Sequence, residues 1–272
     1  MKSTPEIILK GAPNARDLGG IETADGRLIR KNRLIRSGGL GKLYPEDVEY
    51  LKNAGLRTVV DFRTEPERME KPDIILDGVD YIVCPLLERK TEGITRLVPE
   101  TEEEEALRTV SMAHRLMAHG PDGRKQMRSL YPILVSNPFC IEHFRQFFDI
   151  LLGHNEGALL YHCTMGKDRV GTATALLLSA LGVPRESIIA DYLITAERCA
   201  PGTERLIKNC RKICGDEEVL QFIYYLDTVE ESFIMAAFDT VEQSCGSVEN
   251  FLREKIGLDA EKIAKLKNLY LE

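Results

Sequence analysis

The sequence predicts a three-layer α/β protein with a helical C-terminal part, and three observations carry that reading. Short apolar, strand-like runs at residues 57–62 (RTVVDF), 81–84 (YIVC) and 158–162 (ALLYH) are separated by helix-like stretches. The last of these runs leads into residues 170–181, which are apolar nearly all round and read as a central, buried helix. From Ser187 to the end no strand pattern returns. Strands mixed with helices in this way need helices on the faces of a sheet to cover their apolar sides.

The elements follow in chain order. Asp25-Gly26 lies between Ile21 and the apolar pair Leu28-Ile29, the pattern of a hairpin turn. Leu34-Ile35 reads as a strand end before Ser37-Gly38-Gly39. Residues 45–54 read as a helix, with Pro45 near its start and Gly55 past its end. Pro85 stops the strand at 81–84. Residues 88–137 are charged and lack strand patterning, while Leu107, Val110, Ala113, Leu116 and Met117 recur at helical spacing. This stretch is expected to be an inserted helical segment, either a surface excursion or a lid that touches substrate. Residues 139–152 form a helix with a strong apolar face. Beyond it, the region 200–272 is expected to be helical, with breaks at Pro201-Gly202, Gly215-Asp216, Gly246-Ser247 and Gly257-Leu258-Asp259. The whole of 1–272 is read as one domain.

Composition narrows the function. The chain has 272 residues, 36 Lys+Arg against 43 Asp+Glu, and a formal net charge of -7. An acidic balance argues against a nucleic-acid partner. The acidity is concentrated in Glu100, Glu102, Glu103, Glu104 and Glu105, so the remaining surface is close to neutral and can still hold an anion. No run approaches the ~20 apolar residues of a membrane span, so stable membrane insertion is not expected. The start shows no apolar signal core, so a cytoplasmic location is expected, with signal-less export left open. Seven cysteines are scattered without a CxxC pair. They read as buried thiols in a reducing compartment, with one exception.

The exception lies in His162-Cys163-Thr164-Met165-Gly166-Lys167-Asp168-Arg169-Val170-Gly171, between the strand at 158–162 and the buried helix. Cys163 and Arg169 stand in a C-x5-R spacing. A five-residue wrap between a strand end and a helix start lets the backbone N–H groups of Thr164, Met165, Gly166 and Lys167 converge on one anion, and the helix N-terminus adds partial positive charge. Gly166 permits a backbone conformation that a side chain would hinder. Arg169 can offer a planar fork to two phosphate oxygens. The same field favours the thiolate of Cys163 as a nucleophile. These parts suit in-line attack on phosphorus, a cysteinyl-phosphate, and release by water. The loop supplies the charge compensation a metal otherwise would, so neither metal nor cofactor is expected.

HCTMGKDRVG resembles the phosphate loop of cysteine-dependent phosphatases. Asn14-Ala15-Arg16-Asp17-Leu18-Gly19-Gly20 resembles the NxRDLGG signature of the bacterial and fungal tyrosine-phosphatase family related to the mycobacterial phosphatase PtpB. Arg36-Ser37-Gly38 resembles that family's RSG, and Val60-Asp61-Phe62-Arg63 with Glu65 its DLRxxxE. Ala190-Asp191-Tyr192-Leu193-Ile194-Thr195 resembles its DYLLT. The matches run in order from about residue 14 to 195. The resemblance implies a protein-tyrosine-phosphatase-like fold and a phosphorylated protein as substrate, phosphotyrosine first, with dual-specificity or phosphoinositide hydrolysis as alternatives. Two departures stand out. Relatives often place a hydroxyl after the loop arginine, where this chain has Val170, leaving Thr164 or Thr172 to substitute. Relatives also often carry an acid after the strand at 81–84, where this chain has Glu88 and not Asp.

A leaving alkoxide or phenolate needs a proton. The resemblance favours Asp168, inside the loop. Asp61 is an alternative that can instead pair with Arg16 or Arg63, and Glu88 another that can instead be a solvated charge. Lys167 can add positive charge at the mouth of the site, which would suit an inositol lipid. His162 should be structural, since adjacent strand residues point to opposite faces. Arg16 and Asp17 can brace the loop as a pair. Other readings fit less well. GKDR lacks the GxxxxGK[ST] frame of a nucleotide-binding loop, and no motif supports a distant catalytic histidine for a thiol protease. A sulfur-transfer enzyme does not need the C-x5-R spacing. A phospho-binding pseudophosphatase would be expected to lack Cys163 or Arg169. Nothing here indicates the oligomeric state.

Overall fold

A computed structural model of the chain describes residues 9–88, 101–120 and 122–272. In chain order the elements are β1 (Arg16–Asp17), β2 (Leu34–Ser37), α1 (Pro45–Asn53), β3 (Leu56–Asp61), α2 (Glu65–Glu70), β4 (Asp80–Val83), α3 (Glu102–Met117), α4 (Gly123–Ser136), α5 (Pro138–Gly153), β5 (Ala158–His162), α6 (Asp168–Leu181), α7 (Arg185–Ile213), α8 (Glu217–Asp227), α9 (Glu231–Cys245), α10 (Val248–Phe251) and α11 (Ala260–Tyr270), with a π-helical turn at Leu252–Ile256.

The sheet has the order β1-β2-β5-β3-β4. β2, β5, β3 and β4 run parallel, and β1 closes the edge antiparallel to β2. Alternation along β5 assigns its side chains to two cores. Leu159 and Tyr161 join a large cluster that continues through α5, α6 and the C-terminal helices to Phe233, Phe251 and Leu266. Ala158 and Leu160 join a smaller cluster under α1, with Ile35, Leu51 and Val59. The sheet is thus covered on both faces, as parallel strands require, and the expected three-layer α/β fold with its helical C-terminal part is present.

The loop after β5 leaves the C-terminal edge from the middle of the sheet, where open α/β sheets form ligand crevices. α6 behind it is buried on every side except at Ser179, which matches its uninterrupted apolar run. The Asp25-Gly26 turn is also present: Gly26 has φ +82, and Glu22 bridges Leu28.

Pro201-Gly202 does not end a helix. α7 runs through it for 29 residues, because Cys199, Thr203, Leu206 and Cys210 stay buried along its length and packing overrides local propensity. Of the segment 88–137, residues 89–100 lie outside the described ones. The described part is not a detached excursion. α4 packs on α8 and α9 and touches α6, and α3 packs on α7 and α8. Among the described residues no helix is long and apolar enough to cross a membrane.

Candidate active site: the Cys163 loop

The loop from Cys163 to Arg169 joins β5 to α6. Gly166 sits at φ +67, and a Cβ there would lie 2.6 Å from the Ser37 carbonyl and 2.8 Å from the Gly38 nitrogen. Both the left-handed backbone and the close approach therefore demand glycine. Among the described residues, the backbone amides of Thr164, Met165, Gly166, Lys167, Asp168 and Arg169 donate no hydrogen bond to protein. Those of Asp168 and Arg169 belong to the first turn of α6, whose amides have no intrahelical acceptor. Cys163 is 3% exposed, while Thr164 and Met165 are half-buried.

Arg169 is fully buried and clamped by Glu67 of α2. Nη1 donates to Oε2 and Nη2 to Oε1, both at 2.7 Å. Glu67 also accepts from the Thr164 hydroxyl at 2.6 Å and the Thr64 amide at 2.9 Å. Burial alone would raise the Glu67 pKa. The Arg169 charge and these hydrogen bonds outweigh it and hold Glu67 at about 2. A carboxylate depressed in this way stabilises the fold fully above its unfolded pKa and less as it protonates. Acidification from about pH 4.5 towards pH 2 is therefore expected to remove on the order of 3 kcal/mol through this group. Unfolding titrations at pH 6 and pH 3 check it: Glu67→Gln should lose less stability between the two than the parent chain.

On the other side, two sequence stretches meet at the Gly166 carbonyl and a third joins them through Asp191 and Thr195. The carbonyl accepts from Asn14 Nδ2 at 2.7 Å and Arg36 Nη2 at 3.0 Å. Arg36 also bonds Asp191 Oδ2 at 2.7 Å, and Arg16 Nε bonds Asp191 Oδ1 at 2.8 Å. Thr195 Oγ1 accepts from Asn14 and from Arg16. Burial would raise Asp191, but the two guanidiniums hold it below the usual carboxylate range.

Several expectations are corrected here. The partner of Arg16 is Asp191 and not Asp17, whose carboxylate accepts the Gly19 and Asn32 amides at 3.0 and 2.8 Å. The reason is reach: Asp17 turns back into its own hairpin, while Asp191 arrives from α7. The glutamate of the DLRxxxE-like stretch that acts on the loop is Glu67, not Glu65. Lys167 does not stand at the mouth. It is 2% exposed, with Nζ donating to the carbonyls of Leu226 and Thr228 at 3.1 and 3.2 Å and lying 3.1 Å from Asp168 Oδ1. The end of α8 offers carbonyls without helical partners, and they draw the ammonium inward.

The three acid candidates separate. Asp168 is buried in the loop, its Oδ1 accepting the Tyr131 hydroxyl at 2.6 Å. Asp61 is engaged by Arg63. Both of its oxygens accept from Arg63, at 2.9 and 2.7 Å. Glu88 is exposed at the edge of the described residues. His162 faces Asp61 and Asp73, away from the thiol; its Nε2 lies 3.1 Å from Asp73 Oδ2 and its Nδ1 3.2 Å from the Cys163 carbonyl. Burial would lower its pKa, but the two carboxylates outweigh this and raise it. Asp61, Asp73 and His162 also form a cluster of metal-ligand type, and Arg63 already bridges the two carboxylates. Both hydroxyls offered in place of a residue-170 hydroxyl are engaged, Thr164 with Glu67 and Thr172 with the Asp168 carbonyl at 3.0 Å.

Sequence reasoning missed Glu67, Tyr131 and the pairing role of Asp191. For Glu67 a signal existed, since Thr64-x-x-Glu67 is a capping box at the start of α2. Tyr131 carried none.

A buried cysteine at the end of a central parallel strand, followed by six amides without a protein acceptor and by one clamped guanidinium, on this sheet topology, describes a tyrosine-phosphatase type of protein. Residues 7–272 match the sequence profile described as "Tyrosine phosphatase family", and the chain belongs to that family. It is 32% identical over 259 residues to the "Putative tyrosine-protein phosphatase" of Cupriavidus necator, across 95% of this chain and 85% of that one. It is 24% identical to the "Triple specificity protein phosphatase PtpB" of Mycobacterium tuberculosis, across 97% of this chain and 98% of that one. Among solved structures, P. aeruginosa TpbA overlaps 72% of this chain and 89% of its own, with 16% identity and a TM-score of 0.29. That overlap is too loose to add to the family assignment. Family and relatives together make the chain a phosphatase.

Proposed function

We propose that residues 1–272 act as one metal-independent phosphatase unit that hydrolyses phosphotyrosine in proteins through a cysteinyl-phosphate on Cys163. The observation that carries this is the run of unengaged loop amides from Thr164 to Arg169 that follows Cys163, with Arg169 held by Glu67. Cys163 Sγ attacks phosphorus, the ester P–O bond breaks, and Asp168 gives its proton to the leaving oxygen. The amides and the Arg169 fork meet the charge on the equatorial oxygens. In the second step water attacks the phosphoenzyme, its proton passes to Asp168, and inorganic phosphate departs. With Val170 in place of a hydroxyl and both nearby threonines engaged, this second step is the slower one.

Phosphoserine and phosphoinositide substrates remain the alternative on the same loop, and the name of the mycobacterial relative points to breadth in that protein. The inward position of Lys167 favours the phosphotyrosine reading, because it takes from the mouth the cation that would suit a lipid headgroup. The test is hydrolysis of a phosphotyrosyl peptide, a phosphoseryl peptide and phosphoinositide vesicles side by side in a metal chelator. The expected order has phosphotyrosine ahead by about tenfold or more in kcat/KM, a margin of roughly 1.4 kcal/mol. Activity that disappears with the chelator, or a lipid substrate in first place, overturns the proposal.

A further inference from the structure

Tyr131 has no part in the chemistry described so far, yet its hydroxyl ends in the loop. It lies on α4, within the segment expected from sequence to be an insertion, and is fully buried. Its hydroxyl donates to Asp168 Oδ1 at 2.6 Å. With that proton committed, its hydrogen bond with the Tyr192 hydroxyl of α7 has Tyr192 as donor. Burial and the neighbouring Asp168 charge push both phenols well above their ordinary value, so both remain neutral donors. The two rings are fixed. Tyr131 meets Tyr192 edge-on, with centroids 6.2 Å apart, and lies 5.8 Å from Phe233. Tyr192 is pressed against α6 at Gly171, where a Cβ would stand 2.8 Å from the ring.

Lys167 supplies the second contact to the same oxygen, 3.1 Å away. Asp168 Oδ1 is thus held from two sides. Oδ2 accepts no hydrogen bond from any described residue, and it is not among the buried polar atoms without a partner. The carboxylate has one anchored oxygen and one left for other work.

We infer that Tyr131, backed by Tyr192, is the positioning residue for the proton donor. It pins Oδ1 so that Oδ2 is the oxygen presented to the leaving group. α4 is then part of the machinery that orients the acid and not only a cover over the site. This rests on the reading of Asp168 as the acid, and the test separates the two.

The experiment compares kcat/KM on two esters, phenyl phosphate and difluoromethylumbelliferyl phosphate. The second releases a phenol acidic enough to leave without a proton. Tyr131→Phe keeps the ring and removes only the donor. It is expected to lose about tenfold on phenyl phosphate and less than about twofold on the acidic ester, a partial loss of the 10²–10⁴ that acid catalysis supplies. Tyr192→Phe, one bond further out, is expected to show the same selective pattern at roughly threefold. Vanadate inhibition, which reads the phosphate loop alone, should stay within about twofold in both, because neither hydroxyl touches the amides or Arg169. Asp168→Asn is run beside them and should lose on the order of 10²-fold on phenyl phosphate alone. Equal losses on the two esters, weakened vanadate binding, or wild-type rates in Tyr131→Phe overturn the positioning role while leaving Asp168 in place. An Asp168→Asn variant without leaving-group dependence removes the acid assignment, and the inference falls with it.

Discussion

Cys163→Ser is expected to reduce phosphate release from any monoester by about 10⁴-fold or more, the scale on which losing a covalent nucleophile acts. The variant should nevertheless bind phosphotyrosyl peptide about as well as the parent. The hydroxyl of serine does not ionise near neutral pH, so attack on phosphorus fails. The binding apparatus does not depend on sulfur. The amides of residues 164–169 remain unengaged, Gly166 keeps its φ of +67, and the Glu67 clamp on Arg169 is untouched. Rapid quench of the parent chain should also show a phosphate ester on a thiol, which the variant lacks. Retention of a tenth or more of the parent rate in the variant would mean that another group attacks phosphorus.

Asp191→Asn has the largest expected effect on stability. Arg16 and Arg36 are completely buried, and the charge that both of them meet is Asp191. Breaking a buried ion cluster from one side costs about 3–5 kcal/mol, because the remaining charges stay out of water without compensation. For a chain of this size that lowers Tm by roughly 10 °C. The loss should reach the site as well. Arg36 uses its second nitrogen on the Gly166 carbonyl, so releasing it loosens the turn of the phosphate loop, and vanadate should bind more weakly. Thermal unfolding and a vanadate titration measure the two effects. A Tm within a few degrees of the parent would show that the two arginines find other counter-charge.

Much of this architecture was legible from residue order. Strands at 57–62, 81–84 and 158–162 correspond to β3, β4 and β5 within a residue or so, because apolar runs ended by Gly, Pro or Asp register the two-sided burial of a parallel sheet. The helix behind the loop was legible because a helix buried on every side can carry almost nothing polar. The left-handed glycine in the loop was legible because backbone stereochemistry is local.

The pairing of charges was not. Arg16 was expected beside Asp17 and instead finds Asp191 on α7. Lys167 was expected at the mouth of the site and is sealed against the end of α8. Glu67 was passed over for Glu65, although its capping box was present in the sequence. Pro201-Gly202 was expected to break a helix that neighbouring helices hold intact.

Residue order therefore settled the strand, the turn and the helix that carry Cys163 and Arg169, since each depends on neighbours a few positions away. Three-dimensional packing alone decided which counter-charge each buried arginine and lysine meets, and that Tyr131 reaches Asp168. A charge removed from water must be compensated by whatever group the fold brings within about 3 Å, and that group arrives from anywhere in the chain.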